Sequence, residues 1–177
     1  MNKVLAILLF LISFFAQSQT YIPVNAQSSV TFKIKNLGIT VEGSFTGLAG
    51  VIRFDVNQLS SSKFEVTVDA TSLDTGIELR NKHLRKEDYF DVKTYPRIKF
   101  VSTKIESSSS GRFTVTGNLT IKKTTKEIKF DFTALKKEKG YLFKGELPLN
   151  RRDYNVGGSS FSMADELKVL LSVSCEN

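Results

Sequence analysis

From Val30 onward, apolar residues return at every second position, and this period restricts the chain to sheet structure. Val30, Phe32 and Ile34 alternate with Thr31, Lys33 and Lys35. Phe64, Val66, Val68 and Ala70 alternate with Glu65, Thr67, Asp69 and Thr71. The same rhythm runs through Phe113–Ile121, Ile128–Phe132, Leu142–Leu149 and Leu167–Cys175, with shorter stretches at Ile39–Phe45, Val51–Phe54 and Ile98–Phe100. Asn57, Ser107–Gly111, Lys122–Lys126 and Lys139-Gly140 supply turns between them. About eight short strands at this spacing predict an all-β sandwich or a single antiparallel β-barrel. A barrel facing lipid is excluded, because the alternate faces carry Lys33, Lys35, Glu65, Asp69 and Lys129. Each lysine held against hydrocarbon at mid-membrane would cost ~2–4 kcal/mol. The apolar face points inward.

One segment departs from period two. Thr75-Gly76-Ile77-Glu78 spells a capping box, and a helix is expected from there to about Lys86. Ile77, Arg80 and Leu84 would share its inner face. Asp88-Tyr89-Phe90-Asp91 returns toward the next strand at Pro96, so the helical connection near 75–91 is expected to lie over one barrel mouth.

Residues 1–18 read as a cleavable signal peptide. Lys3 precedes an apolar run from Val4 to Phe15, and Ala16-Gln17-Ser18 offers small residues for cleavage before Gln19. The run is shorter than the ~20 residues of a membrane span. The expected mature domain is 19–177, exported, and still basic once Lys3 is removed from the formal charge of +7. Outside the cytoplasm, that charge points away from nucleic acid and toward contact with an anionic membrane surface, or simply to soluble strand faces. Oligomeric state is open, a dimer included. Cys175 is the only cysteine and continues the inward alternation of the last strand, which predicts a buried thiol without a disulfide.

Chemistry for catalysis is sparse. His83 is the one histidine, no cluster has metal-ligand spacing, and Gly157-Gly158-Ser159-Ser160 lacks the phosphate-loop pattern. No cofactor, no metal site and no enzyme is expected. Phenylalanine is abundant and tryptophan absent, which suits either a solid core or a dry tunnel, since the two share one pattern.

Several motifs together resemble the YceI-like family. They are Asp74-Thr75-Gly76, Arg80 to Leu84, Asp88-Tyr89-Phe90-Asp91, Tyr95 to Phe100, Gly117 to Ile121 and Arg152-Asp153-Tyr154. Asn81 stands where the family often has Asp. The resemblance implies a lipocalin-like barrel in the periplasm that binds an amphiphilic lipid, such as a polyprenyl phosphate or an isoprenoid quinone or its precursor, for transport or storage. An interaction or stress-response protein with a filled core is the alternative; an enzyme of lipid metabolism ranks behind both. The tunnel lining expected from the inward faces is Phe32, Ile34, Phe45, Phe64, Val66, Phe100, Phe113, Val115, Phe130 and Phe143. Arg80, His83, Arg151, Arg152 and Tyr154 are the candidates for its head group, Arg because its fork matches phosphate.

Overall fold

The computed structural model describes residues 19–109 and 111–177. The signal peptide read at 1–18 lies outside the described residues. The strands are β1 (Thr20–Pro23), β2 (Ser29–Asn36), β3 (Ile39–Arg53), β4 (Lys63–Asp74), β5 (Arg97–Ser109), β6 (Arg112–Ile121), β7 (Thr124–Lys137), β8 (Gly140–Asn150) and β9 (Met163–Glu176), with one α-helix, α1 (Glu78–Leu84). From β2 to β9 each strand pairs antiparallel with the next, and β9 returns to β2. The result is a closed eight-stranded barrel. The short β1 extends the position of β2, pairing Tyr21 with Ile52 and Pro23 with Cys175. Closure gives every barrel strand a partner on both sides for at least part of its length, covering most of the edge that an open sheet would expose.

The charged face lies outside, as alternation requires. Lys33 sits directly across from Glu42 and their side chains meet at 2.6 Å; Lys168 meets Glu146 at 2.6 Å. Such exposed pairs add little stability, at most ~1 kcal/mol each.

Two local features differ from the sequence reading, and a third lay beyond it. Ile39–Phe45 and Val51–Arg53 belong to one bent strand, β3, whose pairing with β4 slips between Ser44 and Ala49, and Phe54 follows its end. Gly50 makes the bend possible: its φ is +127°, and a Cβ there would stand 2.1 Å from the Glu65 carbonyl oxygen. The capping box does not form. Thr75 instead gives its amide and hydroxyl to Asn81 Oδ1 (2.8 and 2.7 Å), so α1 starts only at Glu78 and Ile77 stays exposed. Finally, β7 and β8 are joined over only part of their length. Pairing runs from Lys137–Gly140 to Phe132–Gly145 and stops. Beyond it β8 pairs with β9 alone, and Pro148, which has no N–H to donate, lies in that one-sided stretch.

Candidate functional site

The two ends of the barrel are built differently. The end that carries β1 is solid. Phe54 stands at its centre, with the rings of Phe113, Tyr141 and Phe143 at 5.2–5.3 Å and those of Phe64 and Phe132 at 6.2 Å. Val115, Ile105 and Cys175 complete this buried cluster. Burial pushes the Cys175 thiol up to about 11, and the thiol donates to the Tyr141 carbonyl at 3.6 Å, so it stays neutral and unreactive.

The other end holds an apolar cavity of about 240 Å³. The turns β2–β3 and β6–β7 and the connections β4–β5 and β8–β9 all lie here. Phe32, Ile34, Val66, Phe100 and Phe130 face inward yet are only half-buried, because the surface they expose belongs to the cavity. Inward residues at the solid end are almost wholly covered. Two glycines leave room for these rings. Phe32 pairs across the ladder with Gly43, where a Cβ would come within 2.3 Å of the ring, and Phe100 covers Gly117 in the same way, at 2.7 Å. The wall is completed by Leu167, Val169 and Leu171 of β9, and by Ile128, Leu147 and Leu149 beside the unpaired stretch of β7 and β8.

The expected lining therefore divides. Phe32, Ile34, Phe45, Val66, Phe100 and Phe130 lie in the cavity wall. Phe64, Phe113, Val115 and Phe143 belong to the solid end: they share the inward face but lie at the other depth. Alternation reports which face a residue occupies and carries no information about depth along the barrel axis.

The head-group candidates divide as well. Arg80 lies in the cavity wall near the mouth, its Nε donating to Thr75 Oγ1 (2.7 Å) and one terminal nitrogen to the Thr75 carbonyl (2.6 Å). Among the described residues no carboxylate pairs with it. Tyr154 is 2 % exposed, lines the cavity, and its hydroxyl has no hydrogen-bond partner. Burial, with the neighbouring Asp153, pushes that hydroxyl up to about 12. Arg151 also touches the cavity, but its guanidinium is committed to the fold. It donates to the carbonyls of Ala164, Val156, Gly158 and, at a longer 3.5 Å, Met163, and to Asp165 Oδ1 at 2.6 Å. Five donors meet five acceptors, so no N–H remains for a ligand. Arg152 is exposed and outside the wall. His83 is exposed too and outside the wall, its ring 4.9 Å from that of Tyr89.

Three wall residues had weaker signals in the sequence. Leu84 and Phe90 roof the cavity from the connection after β4. Asn36 ends β2 with its Oδ1 buried and without a partner. A polar residue at the inward end of an apolar alternation was the available cue for Asn36.

A YceI-like domain model matches residues 21–175, nearly the whole described chain. The chain belongs to the YceI-like family. A UPF0312 protein of Vibrio parahaemolyticus is 38 % identical over 104 residues, 58 % of this chain and 55 % of that protein, so the chain spans about half the length of such curated relatives. The crystal structure of Burkholderia cenocepacia BcnA superposes with a TM-score of 0.81 at 29 % identity, covering 85 % of this chain and 98 % of BcnA. A polyisoprenoid binding domain from Saccharophagus degradans shares the fold at a TM-score of 0.72 and 15 % identity, covering 90 % of this chain and 99 % of that one. In this chain the barrel has one solid end and one hollow end, and the hollow end is where it differs from a simple core.

Proposed function

We propose that this protein binds an amphiphilic isoprenoid-type lipid in the hollow half of its barrel, and carries or stores it in the periplasm. The observation that carries the reading is the cavity wall: inward apolar side chains that keep accessible surface, with polar atoms confined to a few residues. An apolar cavity of roughly 150 Å³ already stays dry and accepts an apolar guest. This one is larger. Burial at ~0.8 kcal/mol per CH₂ gives a prenyl chain most of its affinity without specific contacts. Arg80, Tyr154 and Asn36 are among the wall groups with hydrogen-bonding capacity for a polar head, which a polyprenyl phosphate and an isoprenoid quinone would use differently. The polyisoprenoid-binding relative in this fold supports the same cargo class. The filled-core alternative describes the solid half of the barrel only. Export places the carrier beside anionic membrane surfaces, which its basic charge suits.

Native mass spectrometry of the periplasmic protein, followed by solvent extraction, tests the proposal. A co-purifying prenyl lipid is expected, with a rise in Tm when such lipid is added to stripped protein. Protein that is always empty and gains no thermal stability from prenyl lipids would refute it.

A further inference from the structure

Exposed apolar side chains are concentrated at the hollow end. Phe161 is fully exposed, Leu79 is 80 %, Leu37 78 % and Ile39 70 % exposed, and Ile77 is more than half exposed. All five lie on the connections that frame the mouth. Leu37 and Ile39 flank Gly38 at the tip of the β2–β3 turn. Phe161 is held beside them, because the Leu37 amide donates to the carbonyl of its neighbour Ser162 at 2.7 Å. Ile77 and Leu79 open the α1 segment, whose next residue, Arg80, lines the cavity. The outer faces of the strands carry ion pairs and lysines instead.

We infer that this rim is a docking surface for a lipid bilayer, inserting the tips of two turns and the start of α1 so that the mouth meets the membrane. The inference rests on the carrier reading. A bilayer is the occupant favoured over a protein for three reasons. The apolar residues stand on separate tips around an opening and form no continuous flat face, so a fluid that conforms around each tip can cover them where a rigid partner would leave gaps. They surround the entrance of an apolar cavity, and a lipid passing between cavity and bilayer there avoids crossing water. Lys35 and Lys82 flank the tips on a chain of net positive charge, which suits anionic head groups.

Flotation with phosphatidylcholine vesicles, with and without a quarter phosphatidylglycerol, tests the inference. Wild type should float with the vesicles, more so with the anionic lipid. The double variant Leu37→Ser/Phe161→Ser should lose about tenfold or more in partitioning, since each side chain forfeits its burial. Val56→Ser/Leu135→Ser, which removes exposed apolar residues at the solid end, should float as wild type does. Soluble prenyl-lipid binding, measured by thermal shift without vesicles, should be the same in all three. Wild type that ignores vesicles of both compositions, or a rim variant that floats normally, would overturn the inference. So would a concentration-dependent dimer that the rim variant abolishes, with vesicles left unbound. Wild type that floats through its rim yet never holds cargo would support docking while refuting the carrier reading.

Discussion

A matched pair of substitutions separates a hollow half from a solid one in solution. Phe54→Ala removes a ring that is 1 % exposed and surrounded by five other aromatic rings at 5.2–6.2 Å. Large-to-small changes of this kind cost about 3–5 kcal/mol, because neighbours that pack on every side cannot close the space. At about 2–4 °C per kcal/mol for a domain of this size, Tm should fall by roughly 6–20 °C. Phe130→Ala removes a ring of the same size that meets Phe100 at 5.8 Å on one side and the cavity on another. A face turned to a cavity has no partner atoms to lose, so the expected cost is about 1–2 kcal/mol, and Tm falls by about 2–8 °C. The order reverses for binding. Phe130→Ala should weaken prenyl-lipid affinity by about five- to thirty-fold, whereas Phe54→Ala should leave it nearly unchanged, since its ring is outside the wall. Scanning calorimetry of stripped protein gives the first comparison, and lipid-dependent shifts in Tm give the second. Equal losses of Tm, with ligand shifts unaffected by either change, would show that the two halves are packed alike and that the cavity closes in solution.

Three further outcomes follow from the same geometry. Asn81→Ala removes the acceptor for two Thr75 donors and the amide that donates to Asp74, so it should cost about 1–3 kcal/mol and expose the α1 segment to limited proteolysis before the barrel unfolds. The Asp74 carboxylate is held below its usual range, first by the Gly76 amide and then by Asn81. Its contribution is therefore present above about pH 4 and is lost as pH falls through its lowered folded pKa, so hydrogen-exchange protection factors in α1, taken relative to the intrinsic rate at each pH, should fall at acid pH before those in the strands do. Cys175, buried and neutral, should react with iodoacetamide only as fast as the barrel unfolds, and a thiol that labels readily in native protein at pH 8 would contradict its placement.

The sheet was legible in the sequence because its signal is physical and repeated. A lysine–glutamate exterior against a Phe/Val/Leu interior decides which face of the sheet turns inward but suits a sandwich as well as a barrel; the family resemblance implied the barrel, and the break in period two after Asp74 marked a helical connection. What stayed hidden was set by register and depth. Thr75 and Glu78 have the spelling of a capping box, but the Asn81 side chain takes the Thr75 amide that Glu78 would have accepted from, because it can satisfy Thr75 and Asp74 together from inside the fold. Arg151 has the chemistry of a phosphate ligand, yet four carbonyls and Asp165 claim it, and those acceptors gather only once the β8–β9 connection has closed. Nothing local in Arg151-Arg152 distinguishes the structural arginine from the exposed one.

The same issue of depth explains why one Phe-rich interior can be both core and cavity. Phe113 and Phe132 pair across β6 and β7 at the solid end, while Phe130, two residues from Phe132 on the same face, lines the cavity. The difference is made by what approaches from elsewhere. At the solid end β1 brings in Tyr21, and Phe54 enters from the end of β3; at the mouth the connections roof the space with Leu84 and Phe90 without filling it. Stability is thereby concentrated where no ligand is expected, and the hollow half can hold apolar surface open to a guest because the other half supplies the packing. A guest chain would complete at the mouth the packing that Phe54 provides at the closed end, so occupancy should raise Tm about equally in wild type and Phe54→Ala, and by less in Phe130→Ala, which has lost part of the wall.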